Sequence, residues 1–235
     1  TSAYVAKYNA DGSEAWLAAT LGLSYIRTLD TDADGNVYIA GVLADQVTFY
    51  SADNNNQVVN GTAGVTVPVN TFVAKYDNNG NLKAVRLITS AANPAIAASG
   101  IYFPEAGDVR IYPGKLMVSG GKVYLSATYT GDVNFDNVQW PGRYLDVFSF
   151  MYSDVPGVGI LSLDAANLTN GTSVANLIMK DNKSSVQQNP ESVSFTVDGN
   201  TVYAGFVGKG VETLTTANAT TDLTMQLPND ESGKV

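Results

Sequence analysis

The pattern of apolar and polar positions predicts short strands joined by tight turns along the whole chain. Residues 3–8 alternate apolar and polar side chains, as expected of a strand with one buried face. The stretch Val37–Leu43 is apolar at nearly every position, which indicates a strand covered on both faces. We interpret residues 51–61, which are rich in Asn, as a loop, and residues 208–235 as weakly patterned. Further strands are predicted at 25–30, 46–50, 71–76, 82–89, 109–118, 123–129, 132–135, 159–163, 174–179, 192–197 and 201–207.

Two segments of the chain recur. Residues 4–13 (YVAKYNADGS) return as residues 72–81 (FVAKYDNNGN). A second motif at residues 35–41 (GNVYIAG) returns at 121–127 (GKVYLSA) and at 199–205 (GNTVYAG). Self-similarity of this kind marks a protein assembled from copies of one supersecondary unit. A small sheet exposes both faces and buries them only by packing against further copies, as the blades of a propeller do around its axis.

These motifs resemble the bacterial seven-bladed β-propeller repeat often called SBBP. The resemblance is carried by residues 34–41 (DGNVYIAG) followed by residues 72–81; it is good for 1–90 and looser for 107–180 and 192–207. It implies an all-β fold, a β-propeller or partial propeller of four-stranded antiparallel blades. It also implies a secreted or surface-anchored bacterial protein, such as a lipoprotein of Bacteroidetes. The family pattern is structural and supplies no catalytic residues.

We treat residues 1–235 as a single propeller segment. Its approximate units are 1–24 (partial), 25–90, 107–180 and 192–235 (partial). Propellers typically close with about four to eight blades, so these units predict that the chain is part of a longer protein. Two insertions, at 91–108 and 139–157, exceed the length of a hairpin and are expected on loops of the working face.

Composition and charge exclude several classes of function. The formal net charge is −9, and a surface this acidic repels phosphate backbones, so we expect no nucleic-acid partner. The chain has no Cys and no His, which excludes Ser-His-Asp and Cys-His catalysis and thiolate or imidazole zinc sites within it. Apolar runs are too short for a transmembrane helix, and a lipid anchor upstream of Thr1 is left open.

A calcium loop is suggested by three carboxylates at alternate positions ahead of Gly35. They are Asp30, Asp32 and Asp34. The twelfth position of such a loop is Gly41, where a bidentate Glu is needed. The competing interpretation is a plain turn in which Asp and Asn side chains bond their own backbone. We favour the turn and expect no cofactor, with calcium as the alternative.

Aromatic side chains gather in the two insertions. Exposed aromatic rings stack on sugars or anchor a protein partner, whereas buried ones pack the insertions onto the blades. Phe148 and Phe150 alternate with Ser149 and fit a buried strand face. The residues that we expect to contact a ligand or partner are Tyr102, Phe103, Trp140, Arg143 and Tyr144.

Acidic residues near loops leave a second function open, glycoside hydrolysis by two carboxylates at a set separation. The candidates are Glu105, Asp108, Asp132 and Asp136. We predict instead a non-enzymatic binding or scaffold propeller at the bacterial outer-membrane surface, an accessory lipoprotein of a nutrient-import complex with a protein or glycan partner. The alternatives are a carbohydrate-active enzyme or glycan-binding propeller that uses a carboxylate pair and aromatic loops, and a purely structural adhesin module.

Overall fold

The computed structural model describes residues 2–62, 69–91, 110–146, 152–179, 192–207, 211–216 and 220–224. Within these ranges the protein is all-β, with several antiparallel sheets and no helix, so the predicted fold class is confirmed at that level. The strands are β1 Tyr4–Tyr8, β2 Glu14–Leu21, β3 Ser24–Thr31, β4 Val37–Leu43, β5 Gln46–Phe49, β6 Gln57–Asn60, β7 Asn70–Tyr76, β8 Leu82–Ile88, β9 Ser90–Ala91, β10 Arg110–Ser119, β11 Lys122–Thr130, β12 Asp132–Phe135, β13 Val138–Trp140, β14 Arg143–Asp146, β15 Tyr152–Val155, β16 Gly157–Asp164, β17 Thr172–Met179, β18 Ser192–Asp198, β19 Thr201–Val207, β20 Val211–Thr216 and β21 Thr220–Thr224.

Two sheets each contain a four-stranded meander with the same connectivity. Strands β3, β4, β7 and β8 pair in that order, and β10, β11, β16 and β17 pair in the same way. The tyrosine of the second repeated motif has the same register position in both meanders. Tyr38 on β4 lies opposite Lys75 on β7, and Tyr124 on β11 lies opposite Ser162 on β16. We call the first meander unit 2 and the second unit 3; the hairpins β1–β2 and β18–β19 are units 1 and 4. The sequence repeat is therefore a repeat of sheet connectivity, and the described residues form a row of units without a closed ring among them.

A hairpin that follows the second strand of a unit pairs with the last strand of the preceding unit. In the hairpin β5–β6, β5 pairs with β2 through Phe49 opposite Thr20. In the hairpin β12–β13, β12 pairs with β9, which directly follows β8, through Val133 opposite Ser90. In the hairpin β20–β21, β20 lies along most of β17. We call these three the latch hairpins, because their backbone hydrogen bonds tie neighbouring units together.

The apolar faces of successive units are buried against each other. One core lies between units 1 and 2 and includes Trp16 and Ile39. A larger core lies between units 2 and 3 and includes Tyr38 and Leu125, and a third lies between units 3 and 4 around Phe195. Neighbouring residues of a strand point to opposite faces, so Tyr38 and Ile39 enter different cores. The unbroken apolar pattern of β4 thus reflects burial on both faces, as predicted, and every residue of β4 is buried.

The lysine of the repeated Val-Ala-Lys-Tyr motif also joins neighbouring units. On β7, Lys75 donates from Nζ to the carbonyl oxygens of Ala165 (2.9 Å) and Ala166 (3.3 Å), which lie in the turn between β16 and β17. Its counterpart on β1, Lys7, donates to the carbonyl oxygen of Asn78 (3.4 Å) in the corresponding turn of unit 2. The motif lysine therefore holds a turn of the following unit, which gives a physical reason for its place in the repeat.

Two expectations about local structure were wrong in part. Residues 51–61, expected to be a loop, contain β6 at Gln57–Asn60. Residues 208–235, expected to be weakly patterned, contain β20 and β21. Both departures involve latch hairpins, whose strands are stabilised by pairing with each other and with the last strand of the preceding unit.

Candidate binding surface

The Asp-rich turn ahead of β4 is closed by hydrogen bonds that residues of the turn donate to the Asp32 carboxylate. One carboxylate oxygen of Asp32 accepts the backbone N–H groups of Asp34 (3.0 Å) and Asn36 (2.9 Å), and the other accepts the Asn36 side-chain amide (2.7 Å). Asp30 instead accepts the backbone N–H of Val118 (2.8 Å) in β10. The described residues contain no group of three or more His, Cys, Asp or Glu side chains that could hold a metal ion. The geometry favours the plain-turn interpretation over the calcium alternative.

Asp77 has the same role in the turn between β7 and β8. It accepts the backbone N–H groups of Asn79 and Asn81, both at 2.9 Å, and forms a salt bridge with Lys83 at 2.9 Å. Burial alone would raise the pKa of Asp32 and Asp77, but the hydrogen bonds outweigh it and the pKa of both carboxyl groups is lowered. Their hydrogen bonds to the backbone two and four residues further on make both carboxylates turn-forming groups.

The acidic residues near loops are used by the fold where the structure describes them. Asp132 accepts the backbone N–H of Gly142 at 2.6 Å. Asp136 forms a salt bridge with Arg86 at 2.6 Å. Both carboxylates are therefore engaged by structural contacts. The other two acidic candidates lie outside the described residues: Glu105 and Asp108.

Trp140 lies in the core at the end of β13. Its side chain is 1% exposed, its ring stacks on Tyr129 with centroids 5.2 Å apart, and its indole N–H donates to the Ser173 hydroxyl at 2.9 Å. This placement favours the packing interpretation of Trp140 over the contact interpretation. Arg143 and Tyr144 belong to β14, which pairs with β15. Four further aromatic residues considered from the sequence lie outside the described residues: Tyr102, Phe103, Phe148 and Phe150.

An exposed apolar face on unit 1 was not predicted from the sequence. Tyr4 (72% exposed), Tyr8 (62%) and Leu17 (51%) lie on the same side of the β1–β2 hairpin. Their motif counterparts in unit 2 are buried, since Phe72 is 0% and Tyr76 is 1% exposed. The repeat places the same residue type at both sites, so the residues themselves give no sign of the difference. The difference arises because unit 2 has unit 1 packed against this face.

The same contrast occurs at two other places. Tyr203 of β19 is 58% exposed, whereas its counterparts Tyr38 and Tyr124 are buried. Leu29 of β3 is 57% exposed, whereas Leu116, which holds the same register position in unit 3, is 3% exposed. Tyr4, Tyr8, Tyr203 and Leu29 thus occupy positions whose counterparts are buried in another unit.

Comparison with known proteins agrees with this repeat architecture. The chain is similar to a WD repeat-containing protein of Acanthamoeba polyphaga mimivirus, with 29% identity over 124 residues. The match covers 52% of this chain and 8% of the viral protein, so the chain spans a small part of that relative. No family model and no solved structure matches the chain. WD repeats form four-stranded propeller blades, so the distant similarity suggests a repeat protein of propeller-like type.

A search for membrane spans adds one finding. Among the residues that the structure describes, there is no helix long and apolar enough to cross a membrane.

Proposed function

We propose that this protein is a non-enzymatic binding and scaffold module. The observation that carries the proposal is the exposed face of unit 1, where Tyr4, Tyr8, Leu17 and Leu21 present their side chains to solvent. Aromatic and large aliphatic side chains gathered on one face are typical of protein contacts, because they bury a large area at a low cost in side-chain entropy. The occupant of this face is therefore a protein partner.

The contacts between units support a scaffold role. Latch hairpins and shared apolar cores join every pair of neighbouring units among the described residues, and the motif lysines add contacts between units 1 and 2 and between units 2 and 3. A row tied by backbone pairing and by side-chain packing holds its exposed faces in fixed relative positions. Such a row presents a partner surface without the ordering cost of a mobile loop.

The proposed setting is the surface of a bacterial outer membrane. In this proposal the chain belongs to an SBBP-type lipoprotein of Bacteroidetes origin that assists a nutrient-import complex. Support comes from the motif resemblance at residues 34–41 and 72–81 and from the net charge of −9, which disfavours nucleic acid as a partner. The glycosidase alternative has less support, because Asp132 and Asp136 are engaged by Gly142 and Arg86.

Co-purification from native membranes tests this proposal. The bait is the full protein, compared with a variant carrying Tyr4→Ser and Tyr8→Ser; both residues are exposed, so the fold should persist. We expect the unchanged protein to retain a companion subunit that the variant loses. The matched control is Val58→Ser, at a residue that is 56% exposed on β6 and should not alter binding. Retention of the same companion by the double variant, or no companion for the unchanged protein, would refute the proposal.

A further inference from the structure

We propose that Arg27 and Tyr112 form a binding site for an oxyanion, the carboxylate or phosphate group of a small organic ligand. The two residues belong to β3 and β10, the first strands of units 2 and 3. Both of these units contribute four paired strands to the junction. The inference goes beyond the proposed scaffold role, because it concerns a small ligand and a surface other than the exposed face of unit 1.

The first strands of units 2 and 3 lie side by side and are rich in positive charge. The carboxylate of Asp30 on β3 accepts the backbone N–H of Val118 on β10 at 2.8 Å. Asp30 is the one acidic residue of the two strands, which also carry three cations: Arg27, Arg110 and Lys115. The whole chain, in contrast, has 22 acidic and 13 basic residues. The junction is therefore a positively charged site in an acidic protein, and a local positive potential attracts small anions.

A β-bulge sets the position of Arg27. In the pairing of β3 with β4 the register shifts between Ile26 and Thr28, so Arg27 is an extra residue of β3. Bulges are frequent beside functional sites, where they redirect a side chain. The Arg27 guanidinium lies over the ring of Tyr112, with Cζ 5.4 Å from the ring centroid. A guanidinium that is already held over a ring loses less freedom when a ligand binds than a freely moving one.

The donors of Arg27 have no acceptor among the described residues. Within that part of the chain the guanidinium contacts the Tyr112 ring but forms no hydrogen bond or salt bridge, and the Tyr112 hydroxyl has no hydrogen-bond partner either. Arg27 is exposed and Tyr112 is half-buried, so a ligand can reach both. A guanidinium presents its N–H donors as a planar fork that matches two oxygens of a carboxylate or phosphate. The hydroxyl adds one more donor beside that fork.

The next junction has a similar arrangement in which the cation already has its acceptor. Lys115 lies in the bulge of β10, and its Nζ is 5.5 Å from the centroid of the Phe195 ring on β18, the first strand of unit 4. There Nζ also donates to the carbonyl oxygen of Phe195 at 2.7 Å. A bulge cation over an aromatic ring thus occurs at both junctions, but Arg27 lacks the acceptor that Lys115 has among the described residues. This contrast indicates that the acceptor for Arg27 comes from outside the chain.

Arg110 adds a second positive charge beside the same ring. Its Cζ lies 5.6 Å from the centroid of the Tyr112 ring. Arg110 has further interactions of its own, so the ligand's donors are Arg27 and Tyr112 and the part of Arg110 is electrostatic. An anion beside the ring is attracted to both guanidinium groups. Because the net charge of −9 repels polyanions, the ligand that fits this site is small.

Isothermal titration calorimetry with three sugars gives the first test. The probes are galacturonate, glucose 6-phosphate and uncharged glucose. We expect at least one of the two anions to bind, more weakly as sodium chloride is added, and glucose not to bind. Tighter binding of galacturonate would assign the site to a carboxylate, and tighter binding of glucose 6-phosphate would assign it to a phosphate. Failure of both anions to bind at millimolar concentrations, or equal binding of glucose, overturns the inference.

Three variants test the residues. Arg27→Gln should weaken anion binding by about 10-fold to 100-fold, because it removes hydrogen bonds from a charged group. Arg27→Lys keeps the charge but loses the planar fork, so its affinity should lie between those of the unchanged protein and Arg27→Gln. Tyr112→Phe keeps the ring and loses the hydroxyl, which should weaken binding by about tenfold or less. Circular dichroism checks that each variant is folded. Unchanged affinity in folded Arg27→Gln overturns the inference.

The matched control removes a positive charge elsewhere. Lys83 on β8 already forms a salt bridge with Asp77 at 2.9 Å, so Lys83→Gln should bind the anions as the unchanged protein does. Equal weakening by Lys83→Gln and Arg27→Gln would show attraction to overall charge and overturns the site. The double variant Tyr4→Ser with Tyr8→Ser should keep its anion binding. Failure of the anions to bind thus overturns this inference alone, and failure to retain a membrane companion overturns the proposed function alone.

Discussion

The carbonyl oxygen of Ala165 faces two donors of unit 2, and this allows a sharp test of the contact between units. The Tyr38 hydroxyl lies 2.9 Å from it and Lys75 Nζ also lies 2.9 Å from it. The hydroxyl also lies 3.0 Å from a carboxylate oxygen of Asp32, so its single proton is shared between the two acceptors. We consider three variants: Tyr38→Phe, Lys75→Met and the combination of both. Each single variant leaves the carbonyl with one donor, whereas the double variant leaves it with none inside a buried junction.

The expected magnitudes follow from this count of donors. Loss of the hydroxyl proton shared by the carbonyl and the Asp32 carboxylate in Tyr38→Phe should cost about 1–3 kcal/mol of unfolding free energy, and loss of the charged bond in Lys75→Met about 1.5–3 kcal/mol. The double variant should cost more than the sum, by about 1–3 kcal/mol, because a buried carbonyl without a partner keeps its full desolvation penalty. A coupling of this size is within the range measured for residues that share one hydrogen-bond network.

Urea unfolding of the four proteins, followed by circular dichroism and by tryptophan fluorescence, measures the coupling. The control cycle combines Tyr38→Phe with Lys115→Met, because Lys115 donates to a different carbonyl, that of Phe195, at 2.7 Å. We expect this control pair to be additive. Additive costs for Tyr38 and Lys75, within error, would refute the shared-carbonyl reasoning.

Three further predictions concern packing, pH and calcium. A Cβ added at Gly159 would lie 2.6 Å from a Trp140 ring carbon, so Gly159→Ala should lower stability by about 1–3 kcal/mol in thermal melts. Gly205→Ala, where nothing lies within 4 Å, should change it little, and equal effects would contradict the packing. The pKa of Asp77 is depressed in the folded protein. Its contribution to the free energy of unfolding is therefore present above the unfolded pKa of 3.8 and is lost as the pH falls below that value. Asp77→Asn should therefore flatten the acid side of the profile of urea midpoint against pH, and an unchanged profile would contradict this. Because Asp32 uses both carboxylate oxygens within its own turn, chelator should leave the melting temperature unchanged, and a clear drop would restore the calcium interpretation.

Local pattern was enough to predict the elements of the repeat. The predicted bounds of β4, β12 and β19 match the structure, because each is a short strand flanked by turn residues or by a change of pattern. The Asx turn at Asp32 was likewise predictable, since the side chain bonds its own next residues. Information within a few residues was sufficient in both cases.

The pairing of the latch hairpins was not predictable in this way. Only Ala44 and Asp45 separate β4 from β5, a spacing that favours a local hairpin, yet β5 pairs with β2 of the preceding unit. The place of Trp140 also depends on distant residues, because Tyr129 and Ser173 enclose a side chain whose own neighbours, Pro141 and Gly142, indicate a turn. The exposure of Leu29 likewise depends on which unit packs against its face of β3.

The central claim is that latch hairpins pair across units, and interstrand backbone NOEs in solution NMR test it most directly. We predict NOEs between the residues facing each other at the three junctions: Thr20 and Phe49, Ser90 and Val133, and Asn176 and Thr215. Cross-unit NOEs at all three junctions would support the account. NOEs that instead pair β5 with β4 in a local hairpin would contradict it.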